Sequence, residues 1–327
     1  MTLLLSRSEV DRLLTMPECI AAVEKMFREL GQGKLPAPGI LGIRSEHGGL
    51  HIKAAHLPGD RDYIVAKLNT NFPRNRTEHE LPTIQGLIMM CDGSDGRPLA
   101  VLDSIDITIK RTAAASAVAA KYLARPDSSV ATICGCGQQA AAQLRAIASV
   151  LRLKKVHAFD SDYDTAEDFA GRLAKELDFA IEPAREVSSA LENSDVCITC
   201  TTATEFFIRS EHVRPGTFIA AVGADDSHKQ EIDPALMARA KVVVDNLDQC
   251  CTIGDTHHAI DAGLMKREDI HADVADIVAG RKPARTSDDE ITIFDSTGMA
   301  LEDAVAAVAV YEKAREIKTA TRFHFAA

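Results

Sequence analysis

Two groups of residues in this chain have types and spacing suited to chemistry. One is Gly135-Cys136-Gly137-Gln138-Gln139-Ala140, which fits G-x-G-x-x-A between an apolar run and a helical pattern. In such a turn the first glycine makes the bend. The second lets the backbone approach a pyrophosphate, and the small sixth residue lets helix and sheet pack closely. The phosphates then sit at the positive end of the helix. Asp160 ends the next apolar run, where a carboxylate accepts ribose hydroxyls. Ser161 and Asp162 follow it, with no arginine for a 2′-phosphate, so NAD(H) is expected in preference to NADP(H). A turn holding another nucleoside, such as a methyl donor, would use the same glycines.

The other group is cationic: Arg44, His51, Lys53, Lys67 and Arg111 lie on or beside apolar strand patterns or at a helix start. Lys67 stands inside YIVAKLN. Taken alone it also reads as a surface lysine whose stem covers apolar neighbours. Several cations near one cleft repel one another unless a carboxylate ligand neutralises them, and arginine's planar fork suits that ligand. The two groups together describe a dinucleotide enzyme acting on a carboxylate-bearing small molecule.

The elements that must position these groups follow from periodicity. A strand-like start precedes a helix over ECIAAVEKMFREL, with Pro17 near its beginning and Gly31 and Gly33 at its end. Residues 36 to 105 alternate short apolar runs with turn signals. LIMMCDGSDGRPLAVLD, with Asp-Gly twice, reads as a hairpin, so this third is expected to be an antiparallel sheet with a helix or two. From Ile109 an alanine-rich helix runs to Arg125-Pro126, and from Ser129 strands and helices alternate, which implies right-handed crossovers and a parallel sheet. EDIHADVADIVAGRKPAR reads as a helix ended by Gly280, and LEDAVAAVAVYEKAREI as a final amphipathic helix returning to the first domain. The expected fold is α/β, a Rossmann-type parallel-sheet domain at 116–299 inserted into an α+β substrate-binding and dimerisation domain formed by 1–115 and 300–327.

Composition sets limits. At 327 residues the chain is long enough for about two domains, and 46% hydrophobic with 26% charged residues is ordinary for a globular protein. No apolar run reaches the roughly 20 residues of a membrane helix, and the start lacks the signal-peptide pattern. A soluble, cytoplasmic protein is expected. A net charge of -11 argues against a nucleic-acid partner. Eight cysteines are too sparse for a disulfide scaffold. Cys197 and Cys200 have C-x-x-C spacing, but strand alternation throws them onto opposite faces. Asp255, His257 and His258 lack a third ligand at zinc spacing, so a loop or helix cap is the expected reading and no metal.

The ordered blocks AKLNTNFPRN with LPTIQG, RPLAVLDSIDITIKRTAAASAVAAKYLARP, GCGQQA, VGADDSHKQEID and FDSTGMALEDA resemble the ornithine cyclodeaminase and mu-crystallin family, from about Arg44 to Ala307. The resemblance implies a homodimer built on the N-terminal sheet, an inserted Rossmann domain, and hydride transfer between nicotinamide C4 and the α-carbon of an imino or amino acid. Arg44, Lys67 and Arg111 match the family's substrate-carboxylate and catalytic cations, and Thr112 matches a cofactor-phosphate contact. Asp225 matches the catalytic aspartate, although a strand-end aspartate capping a turn has the same appearance. Thr201 and Thr202 are implied to line the nucleotide cleft. Val222 and Gly223 are implied near the nicotinamide, with Ser296 and Gly298 on its other side. Lys67 beside cations is expected to have a lowered pKa suited to exchanging a proton with the imine nitrogen.

The sequence departs from the cyclodeaminases of this family where they carry an acidic residue for a diamino substrate. Here GGLHIKAAH offers His51, Lys53 and His56. Two unit charges ~4 Å apart interact by about 4 kcal/mol at an effective dielectric of ~20, so an ornithine δ-ammonium would be repelled. The same cations favour a second carboxylate. The expected reaction is NADH-dependent reduction of an α-imino acid to an L-amino acid, most sharply iminosuccinate to L-aspartate. Alanine dehydrogenase or cyclic-ketimine reduction comes next, then ornithine cyclodeamination. A dinucleotide-binding protein without turnover stays open as the non-enzymatic reading.

Overall fold

The computed structural model describes residues 1–317 and 320–325. The chain forms two compact units, Met1–Arg111 with Met299–Ala327, and Thr112–Gly298. The sequence places the crossings at 115/116 and 299/300. The first observed division falls inside the helix Ile105–Leu123, whose alanine-rich pattern runs unbroken through it.

In the first unit, β1 (Thr2–Leu5), β2 (Gly39–Arg44), β3 (Gly49–Leu57), β4 (Tyr63–Asn71), β5 (Ile84–Asp92), β6 (Pro98–Asp103) and a terminal strand Thr321–Phe323 make one sheet. Its order is terminal strand-β1-β6-β5-β4-β3-β2. β2 to β6 form an antiparallel meander, with the β5–β6 hairpin at the double Asp-Gly and a bulge at Met90/Cys91. β1 joins β6 in parallel, so the sheet is mixed rather than antiparallel throughout. The reason lies in a helix not anticipated from sequence. Arg7–Leu13 starts at Ser6, whose hydroxyl and N–H both donate to Glu9, and carries the chain away from β1 before Met16–Gly31 begins.

Strand alternation gives this sheet two unlike faces. On one face Leu57, Val65, Ile88, Met90 and Leu102 are buried, and the helix Ala300–Ala314 packs on β3 and β4 and against Met16–Gly31. Alanines along the Ala300–Ala314 helix let it lie close. On the other face Leu41, Ile43, Ile64, Leu87 and Met89 are exposed.

The second unit holds β7 (Val130–Cys134), β8 (Lys155–Phe159), β9 (Ala180–Ala184), β10 (Val196–Thr199), β11 (Phe218–Ala221), β12 (Lys241–Val244), β13 (Ala272–Asp273) and β14 (Thr292–Asp295). All are parallel, in the order β13-β12-β14-β11-β10-β7-β8-β9. Central strands such as β10 and β11 are buried at every residue, as a sheet covered on both faces requires. The order reverses between β7 and β10, the switch point where such sheets bind ligands at their carboxyl ends. The expected helix around Glu268–Gly280 is instead a 3-10 turn Arg267–Asp269, the two residues of β13, and a single helical turn Val274–Val278. Ala272 and Asp273 pair with β12, and that edge pairing replaces the helix.

Candidate active site

The cations of the first unit share a face. Lys53 stands directly opposite Lys67 across β3 and β4, and His51 and Arg44 lie on that same face by strand parity. Burial grades along the row from Lys67, 4% exposed, to the exposed His51 and Arg44, and Arg111 on the helix Ile105–Leu123 is 5% exposed. Lys67 Nζ is 2.6 Å from Asp303 Oδ2 and donates to Thr108 Oγ1 at 3.4 Å. Arg111 donates through Nε to Asp303 Oδ1 at 2.9 Å and through Nη1 to Glu302 Oε2 at 2.7 Å. Asp303 therefore bridges the two buried cations. Neutralisation comes from the protein's own Asp303 and Glu302, which corrects the expectation that only a ligand carboxylate would supply it.

Burial is the largest influence on Lys67 and lowers its pKa to about 8; Asp303 opposes this, and Arg111 and Lys53 add to it. The lowering expected from cationic neighbours is thus mainly a desolvation effect. Burial opposes ionisation of Asp303, but Arg111, Lys67 and Lys53 hold its carboxyl below the usual range. The arrangement is a buried lysine that exchanges a proton near neutrality, anchored beside an arginine.

In the second unit the glycine turn lies between β7 and the helix Gln138–Val150. Gly135 has φ +88°, and a Cβ there would lie 2.9 Å from Thr201 Cγ2 and 3.0 Å from the Cys200 carbonyl oxygen. Gly137 caps the helix, and a Cβ there would meet nothing within 4 Å, so the protein itself leaves that space open. Gln138 is exposed, and the buried Oε1 of Gln139 has no hydrogen-bond partner among the described residues. Open space at Gly137 and the N–H groups at the start of the helix fit a pyrophosphate, whereas the orphaned Gln139 Oε1 is an acceptor and would need a donor such as a hydroxyl. Asp160 Oδ2 accepts from the Cys136 N–H at 2.8 Å, which ties the ribose-binding candidate to the turn.

Two buried acids hold the remaining cofactor candidates. Glu231 accepts from Thr201 and from Gly223, and a Cβ on Gly223 would come 2.4 Å from Glu231 Oε1. The glycine at 223 is thus required by this carboxylate. Asp245 Oδ2 accepts from Ser296 Oγ at 2.9 Å and Gly298 N at 2.6 Å. Thr112 and Val222 are buried and Thr202 is exposed. Asp225 is exposed after β11 and pairs with Lys229 at 2.6 Å. The rings of His257 and His258 lie 3.8 Å apart and tilted by 42° within the helix Asp255–Asp261, and no group of three or more His, Cys, Asp or Glu able to hold a metal occurs among the described residues. No described helix is long and apolar enough to cross a membrane.

Sequence reasoning missed Asp303, Glu302, Glu231 and Asp245. The first two stand in the FDSTGMALEDA block and Glu231 in VGADDSHKQEID, both singled out for other residues. Paired acids in the first turn of an alanine-rich helix look like ordinary solvated helix-start charges.

Residues 1–318 match the model of the ornithine cyclodeaminase/mu-crystallin family. The chain belongs to this family. Alanine dehydrogenase of Archaeoglobus fulgidus, a similar protein, is 38% identical over 325 residues, covering 99% of this chain and 98% of the relative. An archaeal alanine dehydrogenase dimer with bound NAD superposes with a TM-score of 0.95 at 37% identity, covering 99% of each chain. The iminosuccinate reductase of Paracoccus denitrificans in complex with NAD+ gives 0.90 at 32% identity, also covering 99% of each. The Rossmann-type parallel sheet within a mixed α/β fold is the fold of these family structures.

Proposed function

We propose that this chain is an NAD(H)-dependent oxidoreductase that reduces an α-imino acid to an L-amino acid, and that the substrate is a dicarboxylate, iminosuccinate, giving L-aspartate. The observation carrying this reading is the one-faced row of Arg44, His51, Lys53 and Lys67, with Lys53 opposite Lys67 where a diamino substrate would need an acid. Arg111 and Arg44 orient the carboxylates, a role that geometry can make worth several kcal/mol of the barrier. Lys67 gives a proton to the imine nitrogen. Asp225 serves the nitrogen as acid or base once it exchanges Lys229 for it. NADH, when bound, supplies the hydride equivalent, and Gly135, Gly137, Gln138, Gln139 and Asp160 would hold it. Because Asp160 leads into Ser161 and Asp162, NADH is the expected form rather than NADPH.

The protein works as a cytoplasmic homodimer, assembled through the exposed apolar face of β2 to β5; Leu41, Ile43, Ile64, Leu87 and Met89 there support this reading. Alanine dehydrogenase is the second reading. It is favoured by the 38% identical relative and by Asp303 and Glu302, which already offset Lys67 and Arg111. The test is NADH oxidation with oxaloacetate plus ammonia against pyruvate plus ammonia. Faster turnover of the first pair is expected, and Lys53→Glu should lower it about tenfold or more, with less effect on pyruvate. Faster turnover with pyruvate in the wild type would replace the dicarboxylate reading with the alanine one.

A further inference from the structure

Glu231 has no part in the reaction described above, yet its side chain accepts four hydrogen bonds inside the parallel-sheet unit. It is fully buried. Oε1 accepts from Thr201 N and Thr201 Oγ1, both at 2.7 Å, and Oε2 accepts from Thr199 Oγ1 at 2.6 Å and Gly223 N at 2.9 Å. We propose that Glu231 is a positioning residue that fixes the nicotinamide half of the nucleotide crevice by tying the end of β10 to the end of β11 through Thr201 and Gly223. The proposal rests on the reading that this unit binds NAD(H).

A doubly wound sheet divides its dinucleotide between two mononucleotide halves, here β7 to β9 on one side of the switch point and β10, β11 and beyond on the other. Thr201 and Gly223 follow the first two strands of the second half. The position of Thr201 is set from both sides. Its hydroxyl and N–H point at Glu231, while its Cγ2 lies where a Cβ on Gly135 would be crowded at 2.9 Å. A carboxylate that moves would carry Thr201 relative to the phosphate turn and release Gly223. Glu231 is itself anchored, since its N–H and that of Ile232 donate to Asp255 Oδ1 at 2.8 and 2.9 Å. A carboxylate suits four converging donors because both oxygens accept. A glutamine would turn an NH2 toward one pair of them.

The comparator is Asp195, a buried acid at the opposite end of β10. It accepts from Ser129 N and Val130 N and pairs with Arg125 and Arg214, so it holds the sheet without touching the crevice loops. Glu231→Gln, Thr199→Val and Asp195→Asn are compared with wild type for thermal midpoint, NADH affinity by fluorescence, and competition by AMP, which occupies only the Asp160 half. Glu231→Gln should bind NADH about tenfold more weakly or worse with AMP unchanged. Thr199→Val should show the same selectivity more weakly, and Asp195→Asn should lower the midpoint without selective loss. If Glu231→Gln loses NADH and AMP equally, or loses neither, the positioning role is wrong. Should that variant fail to fold, Thr199→Val decides, and unchanged NADH affinity in it overturns the proposal. A wild type that binds neither NADH nor AMP overturns the NAD(H) reading instead.

Discussion

Lys67 is a cation that burial has made easy to discharge. Its pKa of about 8 lies below the ordinary lysine value, first because it is desolvated, with Asp303 only partly restoring the charge. The reductive direction needs the ammonium form as proton donor, so kcat/KM should fall as pH rises through about 8. Lys67→Arg should remove that inflection and cost about 100-fold or more in rate. Rate profiles from pH 6 to 10 check this, and an unchanged inflection in Lys67→Arg would assign it elsewhere. The stability sign is opposite. Between about 8 and the ordinary lysine value the unfolded chain holds the extra proton, so this group favours folding more as pH rises. Lys67 and Arg111 were legible because charges inside apolar runs are conspicuous. Asp303 was not, since it reaches Arg111 across 192 residues of sequence and sits in a helix turn where acids are common.

At the scale of elements, alternation did most of the work. The YIVAKLN pattern puts Tyr63, Val65 and Lys67 on the buried side of β4 and Ile64 on the exposed side, and strand register does the rest. The exposed side is the proposed dimer surface, and a charge at its centre tests it. Leu87→Glu should convert the dimer to monomer in size-exclusion chromatography with light scattering, because a carboxylate desolvated against apolar partners costs several kcal/mol. An undisturbed assembly would move the interface to another surface. The glycine turn was equally legible, being punctuated by residues with few other uses. The segment from Glu268 to Gly280 was not: its helical spacing is real, but two residues gain more by pairing with β12 than by continuing a helix.

At the scale of the molecule, the chain builds part of one unit, completes a parallel-sheet unit, and returns to the first through Met299–Ala327. That return was visible in the kinship of two alanine-rich helices, and it brings Glu302 and Asp303 to Lys67 and Arg111. The net charge of -11 gave no hint of a cationic sheet face, because a few buried side chains set a local field that the total conceals. Everything proposed for this molecule's reaction requires that hydride pass from NADH to an imine carbon. A direct test supplies NADH with both C4 hydrogens replaced by deuterium, together with oxaloacetate and ammonia, and finds the label by mass spectrometry. L-aspartate should carry one deuterium at its α-carbon and form faster than labelled alanine from pyruvate; bound NADH with no label in any amino acid would overturn the reductase reading.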